Sequence, residues 1–175
     1  GGSINKKLYT QAMIFSTYIS NAIIRDIGSI GGLDSLLYDG EVMRVQMNKN
    51  NESAFIEGAT LFVKYDLLDN ITFSFDLSHL KGSDSEKNPL SHIPPLNGNM
   101  ALKYHNNSRE VKFYIKHNSM KNANQFDLAG VDNLDEATID GVPSWTTINF
   151  LVSEKIDKNI LLSVAIENIM DIHYK

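Results

Sequence analysis

Residues Asn70 to Lys81 alternate almost without a break. Ile71, Phe73, Phe75 and Leu77 fall on one side, and Thr72, Ser74, Asp76 and Ser78 on the other. A strand sends successive side chains to opposite faces, so this stretch has one apolar wall and one polar wall. A helix would scatter the four apolar residues around its circumference. What this chain can fold into turns on what the apolar wall touches, a protein core or lipid.

The same period recurs downstream. Leu96 to His105 sets Leu96, Met100, Leu102 and Tyr104 against Asn97, Asn99, Lys103 and His105. Arg109 to Asn118 sets Val111, Phe113 and Ile115 against Glu110, Lys112 and Lys116. Ser144 to Glu154 and Ile160 to Ile169 repeat it with Ile148, Phe150, Val152 and with Leu162, Val164, Ile166. Upstream, Lys6 to Asp26 is rich in strand formers but mixed in alternation. A helix over Thr10 to Arg25 is the competing reading, and the all-β character of the remainder favours one long strand. Glu41 to Leu67 reads either as a hairpin turning at Asn50-Asn51 or as one very long strand bent by a bulge. The connection lengths favour the single strand. The glycine-bearing segment Ile27 to Gly40 reads as a loop.

Seven strands then have six connections, alternately long and short. Leu68-Asp69-Asn70, Asn106-Asn107-Ser108 and Asp157-Lys158-Asn159 are tight turns. Ile27 to Gly40, Gly82 to Pro95 and Ser119 to Pro143 are long. All short turns therefore lie at one end of the sheet and all long loops at the other, as in an outer-membrane barrel. A soluble sandwich or lipocalin-like barrel has the same alternation. Mid-strand Asp76, Lys103, Lys112, Lys116 and Glu167 suit a wet lumen or an ordinary solvated face. Tyr65, Tyr104 and Trp145, near strand ends, suit interfacial girdles or ordinary packing.

Composition excludes more than it selects. A net charge of -5 over 175 residues gives no basic patch for nucleic acid. Without cysteine there is no disulfide, thiol nucleophile or Cys-ligated metal. No run of eighteen apolar residues exists, so no transmembrane helix is expected, while a transmembrane strand needs only ~10 residues. Gly1-Gly2-Ser3 is not a signal peptide, and a cut or mature chain, or a cloning remnant, is expected.

No catalytic constellation stands out, and the chain reads as no enzyme. There is no G-x-S-x-G elbow. His79, His92, His105, His117 and His173 have no metal spacing. The acidic loop Asp127 to Asp140 lacks calcium-loop spacing and reads as solvated. Gly28 to Gly32 lacks the strand-to-helix context of a phosphate loop. Pro94, Pro95 and Gly58 read as structural, glycine suiting a bulge or bend. No cofactor, metal or individual ligand-binding residue is assigned.

Four places, in order, carry a resemblance. Tyr38-Asp39-Gly40, then Asn51, then Ala54-Phe55-Ile56-Glu57-Gly58 form the first. Pro89-Leu90-Ser91-His92-Ile93-Pro94-Pro95 is the second. Asp132-Asn133-Leu134-Asp135 through Gly141-Val142-Pro143-Ser144-Trp145 is the third. Glu167-Asn168-Ile169-Met170-Asp171-Ile172-His173-Tyr174 is the fourth. With these the chain resembles the C-terminal barrel part of TonB-dependent outer-membrane receptors, of the bacteroidete, siderophore- or colicin-receptor-like type. The resemblance implies an all-β, up-and-down transmembrane barrel fragment, about seven strands of twenty-two. The plug domain and closing strand fall outside the chain, so the piece alone is not expected to function or fold stably. It implies import of a scarce nutrient (iron-siderophore, haem, cobalamin or a similar metal chelate) in a Gram-negative outer membrane. The partners implied are outer-membrane lipid, the small ligand, and TonB through the absent plug. In that setting Asn70 to Lys81 rises from the periplasmic turn, with Ile71, Phe73, Phe75 and Leu77 on lipid. Loops Ile27 to Gly40, Gly82 to Leu90 and Ser119 to Asp140 would shape part of the outer vestibule. The alternative is a soluble β-sandwich or barrel that binds carbohydrate or protein, and a plug-less porin-like channel is a third reading.

Overall fold

The computed structural model describes residues 2–5, 7–132 and 137–174. Ile71, Phe73, Phe75 and Leu77 sit on strand β6 (Ile71–Asp84), and their strand neighbours extend the same wall. Phe75 lies between Val63 and Met100, and Leu102 between Phe73 and Phe113. Phe113 is opposite Phe150, which is opposite Ile166. Directly opposed residues share a face, so one apolar sheet face runs unbroken across these strands.

The carriers are β1 (Gly2–Asn5), β2 (Leu8–Ile27), β5 (Gln46–Leu68), β6, β7 (Asn97–His105), β8 (Arg109–Asn118), β11 (Trp145–Asp157) and β12 (Ile160–Ile166). They form one antiparallel meander in that order. The remaining strands make two small hairpins at the long-loop end. β3 (Ser35–Tyr38) pairs with β4 (Glu41–Arg44), and β9 (Lys121–Asn122) pairs with β10 (Gly141–Val142). A 3-10 turn, Ala123–Gln125, follows β9.

Several expectations change. The sheet has eight strands, since Gly2–Asn5 pairs with the start of β2 and adds one to the seven expected. Thr10 to Arg25 is strand, laddered to β5 along its length, and the helix reading falls. Asn50-Asn51 is not a turn, because Asn51 pairs with Ala22 and Asn50 with Ile23 in mid-ladder. The single-strand reading of 41–67 holds from Gln46 onward, but Glu41–Arg44 belongs to the β3–β4 hairpin. The segment read as plain loop, 27–40, therefore contains a strand. Its turn is Asp39-Gly40, both at positive φ (49° and 85°), the two-residue type I′ geometry that matches strand twist.

Burial is inverted relative to a soluble domain. The buried apolar residues are few and mostly small (Ala22, Ala54, Ala101, Phe126, Ala129). The largest fully buried side chains are polar, Asn149 and Thr147. Leu102 and Phe113 in the middle of the apolar wall are 46% and 42% exposed. The accessible surface is 12223 Å², against about 8,600 Å² for a compact monomer of this mass. Among the described residues no second sheet covers the apolar face.

Gly58 is neither in a bulge nor at a bend. It pairs in regular register with Phe15, and the Phe15 ring lies over it. A Cβ there would come within 2.4 Å of Phe15 Cζ and 2.5 Å of Cε1. An aromatic ring covering a cross-strand glycine buries backbone that glycine leaves bare. Gly58→Leu is expected to expel the ring and lower unfolding stability of the full-length protein by about 1–3 kcal/mol. Urea titration checks this, and Phe15→Ala in the Gly58→Leu background should then add no further loss.

Candidate functional site: the polar wall and the long-loop end

The second face of the sheet is hydrophilic because the odd-even pattern leaves it no choice. Asp76, Asn99 and Lys116 are consecutive cross-strand neighbours, as are Ser74 with Ala101 and Thr72 with Lys103. Asn99 Nδ2 donates to Asp76 Oδ2 (2.9 Å). Lys103 and Lys112 stand directly opposite each other, a like-charge arrangement relieved by Glu110, 3.5 Å from Lys103. Lys112 lies over the Tyr114 ring (4.9 Å). The Tyr114 hydroxyl donates to Glu167 (2.8 Å), and Lys116 is 3.8 Å from the same carboxylate. Asp76, Lys103, Glu110, Lys112, Lys116 and Glu167 thus share one hydrated, charge-balanced wall.

The aromatic residues near strand ends divide. Tyr65 and Tyr104 lie on the apolar face, opposite Phe73 and Ile71 respectively. Trp145 does not. It lies on the polar face in line with Asn118, and its ring packs against Tyr174 (centroids 4.6 Å apart). Its role is packing, not a membrane girdle.

Seven turn regions link the eight strands of the main sheet, and they alternate in length. Short turns follow β1, β5, β7 and β11, while long segments follow β2, β6 and β8. The three long segments, 28–45, 85–96 and 119–144, meet at one end. Asp84, 6% exposed, anchors the second at its root. Its Oδ1 accepts the N–H groups of Glu86 (2.9 Å) and Asn88 (2.8 Å). Its Oδ2 accepts from Asn88 Nδ2 (3.1 Å) and Asn51 Nδ2 (3.3 Å). Leu90 N–H donates to the Gly82 carbonyl (3.1 Å), and Ile93 folds onto Gly82, where a Cβ would meet it at 2.7 Å. The Pro89 to Pro95 segment is therefore turned in over the polar face. The third segment reaches the first through Arg44 Nη1, which donates to the Leu128 carbonyl (3.4 Å), and reaches the start of β5 through Gln46 Nε2, which donates to the Ala129 carbonyl (2.8 Å).

Asn51 reaches Asp84 because strand alternation changes phase nearby. Asn21 takes a positive φ of 53°, and the adjacent Ser53 and Ala54 are both buried. Above this point β2 and β5 extend as a long two-stranded ribbon. There Lys49 Nζ lies 3.1 Å from Asp26. That hydrogen bond, with the Ile27 N–H, holds the Asp26 carboxyl below the ordinary range.

Of the acidic loop's described carboxylates, Asp140 is exposed as expected and two are not. Asp127 and Asp132 are each 8% exposed, and protein donors occupy their carboxylates. Asp127 accepts the N–H groups of Val131 and Asp132, each at 3.0 Å. Asp132 accepts the His92 N–H (2.7 Å) and pairs with Lys121 (2.5 Å). Asn133, Leu134, Asp135 and Glu136, part of the third motif, lie outside the described residues. Among the described residues no three His, Asp or Glu side chains converge as metal ligands. The glycine run 28–32 follows a strand and leads into a hairpin, with no helix to receive a phosphate.

The four resembling segments converge in space. Asn51 of the first holds Asp84, which roots the second. His92 of the second meets Asp132 of the third. Trp145 of the third stacks on Tyr174 of the fourth. Asn168 of the fourth donates its N–H to the buried Asn149 (2.9 Å), and its side chain clasps the backbone of Ile172.

An open antiparallel meander with one apolar face, one hydrophilic face, short turns at one end and long loops at the other is a wall section of an outer-membrane-type barrel. Solved structures agree. No protein-family model matches the chain, and no curated protein matches it. The copper transporter OprC superimposes with a TM-score of 0.77 at 18% identity, over 98% of this chain and 24% of its own. The ferric enterobactin receptor PfeA of Pseudomonas aeruginosa gives 0.71 at 17% identity, over 95% and 24%. The siderophore receptor PirA of Acinetobacter baumannii gives 0.67 at 20% identity, over 95% and 26%. The chain has the fold of a barrel section of TonB-dependent receptors. It spans about a quarter of the length of the structures it matches, and these are named as a transporter and receptors, none as an enzyme.

Proposed function

We propose that this chain is a section of a longer outer-membrane receptor that imports a scarce nutrient by ligand-gated, TonB-driven transport. The twenty-two-stranded closure and the lumen-filling plug belong to the rest of that protein. The observation that carries the reading is the double segregation of the sheet: apolar against hydrophilic by face, short against long by end. A soluble sandwich needs a second sheet over Met100, Leu102 and Phe113, and those residues are exposed. In the membrane that wall faces lipid, and the wall of Asp76, Lys103, Lys112 and Lys116 faces the water-filled lumen. β6 then rises from a periplasmic turn at Asp69-Asn70 to the extracellular segment 85–96. The three long segments form part of the outer vestibule, where a ligand is captured before the plug rearranges. The chain itself performs no covalent chemistry.

Copper, ferric enterobactin and siderophore ligands are named for the matched structures, and the cargo here belongs to that broad class of scarce metal or chelated nutrients. Deleting the whole gene tests the reading. Energised deletion cells are expected to lose uptake of one member of a panel of ferric siderophores, haem, cobalamin and copper, and the parent strain to carry the protein in its outer membrane. Unchanged uptake across the panel, together with recovery of the protein as a soluble periplasmic species, would contradict it.

A further inference from the structure

Asp132 occupies an unusual position in the loop cluster. It belongs to 119–144, yet its carboxylate is spent on a neighbouring segment. Oδ1 accepts the backbone N–H of His92, forty residues upstream. Oδ2 pairs with Lys121, whose side chain is itself only 11% exposed and packs over the buried Phe126 ring. The His92 backbone is held at a positive φ of 60°, which presents that N–H to the carboxylate.

Each segment has its own anchor elsewhere. Segment 85–96 is fastened at its root by Asp84 and is turned over the polar face at Gly82. Segment 119–132 is fastened to the base of β5 through Ala129 and Gln46. Ser119 N–H donates to the Leu96 carbonyl (2.8 Å) where the two segments leave the sheet, and Asp132 links their far parts. A buried ion pair with a charge-accepting hydrogen bond leaves little room for intermediate states. If 85–96 lifts away alone, Asp132 loses its N–H donor. If the carboxylate follows, Lys121 is left buried and unpaired, which is strongly unfavourable. Packed elements joined this way have two arrangements and not a continuum.

We propose that segments 85–96 and 119–132 are a single shutter over the polar face, pinned by Asp132 and opening as one body. The proposal stands on loop geometry and is independent of the transport reading. Hydrogen exchange on the full-length protein in native membrane vesicles tests it. Asp132→Ala is expected to speed exchange by about tenfold or more in peptides covering both 89–93 and 121–131, the loss of a charge-accepting bond being the cause. Peptides in 109–118 serve as the unchanged reference. Faster exchange confined to 121–131, with 89–93 at its native rate, would show independent loops and overturn the proposal, as would no change in either. Should Asp132→Ala fail to assemble, Asp132→Asn keeps an acceptor for His92 and removes only the charge. It must loosen both segments together, and loosening of one alone overturns the proposal equally.

Discussion

Phe75→Arg is expected to prevent membrane assembly, while Ser78→Arg, three residues along the same strand, is tolerated. Phe75 sits in mid-wall between Val63 and Met100. If that wall meets hydrocarbon, an arginine there costs about 2–4 kcal/mol near the bilayer midplane. Ser78 is on the hydrophilic face, between Thr60 and Asn97, where a cation stays hydrated. The comparison holds strand, neighbours and introduced residue nearly constant and changes only the face. Heat-resistant, folded barrel on a semi-native gel, measured for the full-length protein, reads the difference. Equal tolerance of both substitutions would mean that the apolar wall is not against lipid.

The second large effect is expected at Asp84. Asp84→Ala removes one buried carboxylate and with it four hydrogen bonds, to Glu86, to Asn51 and twice to Asn88. Unmade bonds of this type cost about 2–4 kcal/mol together once water reaches the freed donors. Opening of the 85–96 segment should rise roughly 30- to 1,000-fold. Lys87 lies within it, so trypsin added to intact cells is expected to cut there much faster in the variant than in the native protein. Asp84→Asn should fall between, because one amide oxygen still accepts from Glu86 and Asn88 while the new NH₂ opposes the Asn51 and Asn88 amides. An unchanged cleavage rate in Asp84→Ala would show that the segment is held by something other than this knot.

The two effects differ in how visible they are in sequence. The apolar wall is legible because alternation is a local property: Arg109 to Asn118 is read to the residue, and Asn70 to Lys81 is placed with only its upper end short of Asp84. The tight turns follow for the same reason. The β3–β4 hairpin was also within reach, since Asp39-Gly40 between Leu36-Leu37 and Val42-Met43 is a type I′ turn signal; the glycines around it had suggested a plain loop. Gly2–Asn5 is a strand only by pairing with β2, and four residues have no period to read.

The loop knots lie beyond local reading. Asp84 falls just past the expected strand, and Asp132 meets His92 across forty residues. Neither partner is chosen by spacing, only by where the sheet brings the long segments. The acidic stretch 127–140 looked solvated because composition counts charges and cannot see that Lys121 and backbone N–H groups are waiting for two of them. The motif resemblance held more of this than the residues did individually. Asn51, His92, Asp132, Trp145 and Tyr174, scattered through four segments, are the ones that touch across segments in the fold.

The central claim is that the sheet has a lipid face and a water face, and it can be measured residue by residue. Nitroxide labels on single cysteines, introduced in a cysteine-free background of the full-length protein in bilayers, report accessibility to oxygen and to an aqueous nickel chelate. Labels at Phe73→Cys, Phe75→Cys, Leu102→Cys and Phe113→Cys are expected to favour oxygen. Those at Ser74→Cys, Ala101→Cys and Ser78→Cys are expected to favour the chelate, giving a period of two along β6. Preference for the chelate on both faces, or loss of the period, would contradict a transmembrane wall.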